Sequence, residues 1–197
     1  EPLVMDPVAI DWSSDGSVWV AEMEDYPSGE TKSSGRIARL IDTDGDYRPD
    51  KRQVLIDDVV FPTGVMAWGD GVIVTCAGKI FYAEDKDGNG VPEKREDWFT
   101  GFVEDNQQLR VNSLRWGLDD WIYCASGGHH AGFGVNTVIT CAKNGKKVKL
   151  GARDFRFRPD GSFEPVAGPS QFGRVRDNDG NWFGVQNAHP IWHYVLE

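Results

Sequence analysis

Residues 65–100 read VMAWGDGVIVTCAGKIFYAEDKDGNGVPEKREDWFT. Two apolar runs, VMAW and VIVTCA, flank the turn at Gly69-Asp70-Gly71. Two more, KIFYAE and EDWFT, flank an acidic, glycine-bearing loop. Short β-branched and aromatic runs bounded by Asp and Gly predict strands joined by tight turns. Four such strands in succession make one antiparallel unit, the size of a propeller blade.

The same pattern recurs outward in both directions. AIDWSSDGSVWVAE starts at Ala9, SLRWGLDDWIYCASG at Ser113 and GRVRDNDGNWFGVQN at Gly173. Their turns fall near Asp15, Asp70, Asp119 and Asp179, a period of about 50–60 residues that points to repeated supersecondary units. Trp12, Trp68 and Trp116 precede the first three turns, and Arg176 takes that place in the fourth. A second hairpin follows in the first unit (GRIARLIDTDGDYRPDKRQVLID) and in the second. In the third, an insertion from Gly127 to Leu150 intervenes before DFRFRPDGSFEPVAG. The expectation is an all-β propeller of about three and a half blades: 1–58, 59–105, 106–168 and a partial blade over 169–197. A ring closes with four to eight blades, so the remainder of the propeller or another chain is expected to complete it. An open arc would otherwise leave edges and apolar faces uncovered.

Composition agrees with this class. In 197 residues Val outnumbers Leu by 20 to 8, and Gly plus Pro number 33. Val favours strands, and Gly and Pro favour turns. A net charge of −10 argues against a nucleic-acid partner. Residues 1–31 hold eight acids and no Lys or Arg. No run is long and apolar enough to predict a membrane span. Three cysteines, Cys76, Cys124 and Cys141, form no CxxC pair, so neither a zinc ribbon nor a covalent haem site is expected. A Cys124–Cys141 bridge stays open.

Two loops carry metal-ligand spacing. Asp85, Asp87, Asn89, Gly90 and Glu96 match the D-x-[DN]-x-[DN]-G-x5-E calcium pattern. Alternate oxygens on a curling loop converge on one point, as the six to eight oxygen ligands of calcium require. The Val91 carbonyl and Glu93 are further candidate ligands. The flanks are strands, so the loop reads as a calcium hairpin and not an EF-hand. Asp42, Asp44, Asp46, the Arg48 carbonyl and Asp50 form a second, weaker match, in which Tyr47 replaces the turn glycine and Gln53 the last acid. Plain Asp/Gly turns are the simpler reading of both. Calcium loops favour a periplasmic or extracellular setting.

In a propeller the usual site lies at one mouth of the central channel. Candidate groups near strand ends are Glu22, beside Glu24 and Asp25; Gln107, Gln108, Arg110 and Asn112; His129 and His130; and Asn187 with His189. Carboxylates can do acid–base work and a neutral imidazole can act as base or ligand. A solvated acidic loop is the plainer reading of the first cluster. Adjacent His129 and His130 point to opposite faces of an extended chain. His193, within IWHYVL, reads as packing.

The runs VWVAEMEDYPSG, FPTGVMAWGDGVIVTCAGKIFYAEDKDGNG, NQQLRVNSLRWGLDDWIYCASGG and GRVRDNDGNWFGVQNAHPIWHYVL resemble the propeller domain of the membrane-bound dehydrogenase family of planctomycetes and verrucomicrobia. That family is distantly similar to glucose/sorbosone dehydrogenases. The resemblance implies a six-bladed ring, calcium, pyrroloquinoline quinone and oxidation of a sugar or alcohol. The family's haem-bearing continuation is not in these residues. One departure bears on chemistry. The family pattern NQQHRVNG reads NQQLRVNS here, so Leu109 stands at the histidine and Ser113 at the glycine. That histidine aligns with the catalytic base of the quinone enzymes, and leucine cannot accept a proton. His129 or His130 is the substitute to consider. Alternative readings are a non-catalytic propeller that binds a glycan or a protein, and a carbohydrate hydrolase or lyase using the acids around Glu22.

Overall fold

The computed structural model describes residues 4–24, 26–27, 34–104, 106–129 and 132–195. His130 and Asp25 lie outside them. The chain divides into two compact units, Glu1–Cys76 with Phe81–Glu96, and Ala77–Ile80 with Asp97–Glu197. Every regular element among the described residues is a strand.

In the first unit, β1 (Pro7–Trp12), β2 (Val18–Glu22), β3 (Gly35–Ile41) and β4 (Lys51–Val59) form one antiparallel sheet in chain order. The tight turn at Asp15 and Gly16 brings Trp12 opposite Val18. Asp15 accepts hydrogen bonds from the Ser17 backbone amide at 3.0 Å and hydroxyl at 2.7 Å, which is the local chemistry that makes Asp a turn former. β5 (Gly64–Trp68) pairs with β6 (Gly71–Cys76), and β7 (Lys79–Glu84) lies on the other edge of β6. Trp19, Ala21 and Ile37 of the first sheet pack with Val65, Val72, Val74 and Phe81 into one buried core. Those positions alternate along each strand, as a half-buried pleat requires. On β1 the alternate side chains Val8, Ile10 and Trp12 stay 49%, 48% and 62% exposed.

In the second unit, β9 (Asn112–Trp116), β10 (Ile122–Ala125), β13 (Asp154–Phe157) and β14 (Phe163–Val166) make a four-stranded sheet in the order β14-β13-β10-β9. β15 (Arg174–Arg176), β16 (Trp182–Gln186) and β17 (His189–Tyr194) make a three-stranded one. Trp116 pairs with Ile122 and Arg176 with Trp182, so the repeat positions read from the sequence close equivalent hairpins. The Arg176 guanidinium donates to the Trp116 carbonyl at 2.9 Å, tying neighbouring sheets through those same positions.

The insertion behaves differently from its place in the chain. It forms β11 (Val138–Cys141) and β12 (Lys147–Lys149), which pair with each other. β11 then joins β8 (Lys94–Thr100), with Thr140 opposite Thr100 and Cys141 opposite Phe99. Residues 138–149 thus extend the edge of β8 and leave the third sheet with four strands. Phe99 meets Phe155, Phe157 and Phe163 at ring separations of 5.3, 5.0 and 5.3 Å, so a phenylalanine cluster fixes the hairpin over the core. The Cys124–Cys141 bridge is not made: all three cysteines are buried thiols. Burial pushes the Cys124 thiol well up from its ordinary value.

Candidate functional site

The antiparallel order of the second unit gathers one set of strand ends. Ala125 lies opposite Asn112, Asp154 opposite Val166, and Gln186 opposite His189. The segments before β9, after β10 and β14, and between β16 and β17 therefore share one end. Asn112 is the hub. Its amide donates to the carbonyls of Arg110 at 2.8 Å and Gln171 at 2.9 Å. The Gln171 side-chain oxygen accepts from the Asn187 backbone amide at 3.2 Å. Arg110 is buried. Hence Arg110, Asn112 and Asn187, separated in sequence, belong to one network. Gln107 and Gln108 are exposed. His129 is half-buried, its backbone amide bonded to the Phe133 carbonyl at 2.9 Å. His189 is exposed, with its ring 5.3 Å from that of Trp192. His193 is exposed, with its ring stacked on that of Phe183 at 4.9 Å.

Behind this end lies a buried polar cluster that the sequence reading missed. Asp154 accepts from the Ser170 backbone amide at 2.7 Å and hydroxyl at 2.6 Å. Arg174 faces it, enclosed by the rings of Tyr123, Trp182 and Tyr194 at 5.0, 4.6 and 4.6 Å. Burial pushes the Tyr194 phenol up to about 12, so it stays a neutral donor or acceptor. The available signal was a charged residue opening each short strand, Asp154 in DFRF and Arg174 in RVR, where an inward charge needs a partner.

In the first unit Glu22 is fully buried at the end of β2. Arg52 grips it through both oxygens, Nε at 3.1 Å from Oε1, and the Met5 amide adds a third bond at 3.2 Å. Glu24 pairs with Arg36 at 2.8 Å. These carboxylates are engaged in ion pairs, an arrangement unlike the poised acid and base that hydrolysis or elimination needs.

The acidic loops lie at the opposite ends of the strands from Glu22, at the β3–β4 turn and just after β7. Oxygens of Asp85, Asp87 and Glu93 all lie within 4.8 Å of one another, as do those of Asp42, Asp44 and Asp50. Two other candidate ligands, Glu96 and Asp46, lie outside these groups. Glu96 extends from β8 and pairs with Lys94 at 3.0 Å, outside the group that Glu93 joins. Asp46 instead accepts the Arg48 amide at 2.8 Å. Asn89 donates to Asp87 at 2.9 Å and accepts the Val91 amide at 2.7 Å. Gly90 adopts φ +87°, and Tyr47 is held at φ +67° in the other loop where glycine was missed. The donors are hard carboxylate oxygens, which suit calcium.

A model of a domain of unknown function, DUF7133, matches residues 1–197. The chain belongs to the DUF7133 family. No curated protein sequence matches it. Among solved structures, the DUF7133 chain is similar to the PQQ domain of pyranose dehydrogenase from Coprinopsis cinerea in its holo form, at 14% identity and a TM-score of 0.60. That match covers 93% of this chain and 44% of the other, so the DUF7133 chain spans less than half its length. It is also similar to a luciferin-regenerating enzyme, at 7% identity and a TM-score of 0.53, covering 96% of this chain and 60% of that one. At these identities the likeness shows the fold, an all-β architecture of propeller type. No helix among the described residues is long and apolar enough to cross a membrane.

The quinone chemistry that the resemblance implies would need a base to take the substrate's proton as hydride leaves. At the position the resemblance assigns to it, Leu109 is apolar and only 7% exposed, with its backbone against Gly127. The residue present at that point in this chain does not fit proton abstraction, and no step through a quinone follows from it.

Proposed function

We propose that this chain is a calcium-binding segment of a six-bladed β-propeller built like those of the quinone-dependent sugar and alcohol dehydrogenases, without the base at Leu109, and working in the periplasm or outside the cell. The observation that carries the metal is the convergence of Asp85, Asp87 and Glu93, with Asp85 buried and its carboxylate oriented by the amides of Asn89 and Gly90 at 3.1 and 2.9 Å. The ion ties the outer hairpin of a blade. Val8, Ile10 and Trp12 on β1 are the apolar face that the remaining blades, or another chain, cover when the ring closes. Titration calorimetry with calcium tests this, together with the melting temperature before and after chelation. Binding of one or two ions and a lower melting temperature in chelator are expected. Heatless titration with an unchanged melting temperature rules it out.

A second reading concerns the chemistry, and buried Leu109 favours it. The ring binds a carbohydrate without oxidising it. With quinone, calcium, a sugar panel and a dye acceptor, the chain should show no turnover. Leu109→His is the variant expected to introduce it. Turnover by the unaltered chain would return the assignment to oxidoreductase.

A further inference from the structure

The β11–β12 insertion does more than lengthen a sheet edge. Together with the segment following β8, it borders an open cleft of about 570 Å³ in the second unit. One wall is Gly101–Glu104 and the other Gly132–Val138. Its base is closely fitted. Gly101 sits at φ +97° against the Val138 carbonyl, where any side chain would collide. The Thr137 amide donates to the Gly134 carbonyl at 3.0 Å, and the Thr137 carbonyl accepts from the Leu150 amide at 2.9 Å. The cleft is therefore pre-formed, which lowers the ordering cost of binding.

Its chemistry is selective. Glu104 is the one charged side chain among the described lining residues. Its carboxylate lies over Gly78, at φ +72°, in space that a Cβ there would occupy. Val103, Phe133 and Val135 supply apolar surface, and Asn136 and Thr137 supply amide and hydroxyl groups. The described walls carry no Lys, Arg or His and so offer an anion no countercharge. A bare cation finds one carboxylate where calcium needs six to eight oxygens. A wholly apolar ligand would strip water from Glu104 and Asn136 without return.

The geometry points to a neutral sugar, one or two rings in size, as the occupant of this cleft. Vicinal hydroxyls donate to the Glu104 carboxylate, Asn136 orients the ring, and the C–H face lies on Val103 and Phe133. The volume is within the range of about 300–1,000 Å³ usual for small-molecule sites. This deepens the carbohydrate-binding reading above and needs neither quinone nor calcium.

The test is ligand-observed NMR on the full chain with D-glucose, cellobiose and D-glucuronate, with no quinone present. Binding of glucose or cellobiose is expected, with glucuronate at least tenfold weaker. Glu104→Gln should weaken the neutral sugar at least tenfold, and Val103→Trp should fill the cleft and abolish binding. A chain shown folded by circular dichroism that binds neither neutral sugar overturns the inference. So does sugar binding that survives both variants, which would move the sugar elsewhere while leaving the carbohydrate reading standing. Dye reduction with quinone, measured separately, decides the oxidoreductase question without touching this one.

Discussion

Arg174 Nη1 stands 3.5 Å from Asp154 Oδ2, and neither side chain has any solvent exposure. The pair joins β15 to β13, two neighbouring sheets of the repeat. The low dielectric of such a site makes a satisfied network strong and an orphaned charge costly. Arg174 is also bonded to the Ala167 carbonyl at 2.9 Å, and Asp154 to Ser170. Arg174→Met should therefore cost about 3–5 kcal/mol, because it leaves a buried carboxylate without its countercharge. Urea denaturation measures this. The paired change Arg174→Met with Asp154→Leu should recover part of the loss, and a single-variant cost below about 1 kcal/mol would contradict a buried ion pair.

The repeat was legible because its turns carry their own chemistry. Asp15 and Asp177 each accept local backbone amides, so the hairpins are encoded within a few residues. The fate of residues 138–149 was not, because a hairpin's own sequence does not say which free edge it will join. Contact with β8 is decided by Phe99 and the phenylalanines of β13 and β14, far away in the chain. The same limit hid the Asp154–Arg174 cluster. Spacing picked out the Asp85 loop, in which Asp85, Asp87 and Glu93 converge, but could not show that Glu96 lies outside that group. Strand β8 starts at Lys94, and its pairing carries Glu96 away from the loop.

Two departures from glycine offer a test of backbone strain. Ser113 and Tyr47 stand at φ +60° and +67°, the left-handed region. That region costs a residue with a Cβ about 1–2 kcal/mol, and glycine's looser unfolded chain offsets part of the gain. Ser113→Gly should thus stabilise the chain by about 0.5–1 kcal/mol. Ser113 also fills the space beside Gly173, where an added Cβ would strike the Ser113 side chain. Gly173→Ala should be clearly destabilising alone and less so beside Ser113→Gly. Equal penalties in the two backgrounds would show that the contact is unimportant.

The metal loops give a prediction in which position matters. Gln53, at the tail of the Asp42 loop, donates its amide to the Gly88 carbonyl at 2.9 Å, so the two loops touch. Glu93→Gln should lower calcium affinity and abolish most of the calcium-dependent rise in melting temperature. Glu96→Gln should leave both unchanged. A ligand present at about 100 times its Kd stabilises a fold by about 2.7 kcal/mol, which is readily seen by calorimetry. If Glu96→Gln proves the damaging change, the loop closes on metal through the spacing of the motif and not through the geometry described above.

Acid should act through the same turns. The Gly45 amide, with those of Tyr47 and Asp44, holds the Asp42 carboxyl below its usual 3.8. The Asn181 side chain and amide do the same for Asp177. A carboxylate whose folded pKa is depressed stabilises the fold at pH values above its unfolded pKa, and that contribution is lost as pH falls through the folded value. The melting temperature should therefore stay nearly level as pH drops from 7 to 5 and fall below pH about 4. Asp42→Asn and Asp177→Asn should each flatten the acid limb, because the amide has no proton to gain. Both groups are exposed, so the effect of each is small and screened by salt. A limb unchanged in the double variant would show that these two turns do not set the acid sensitivity of the fold.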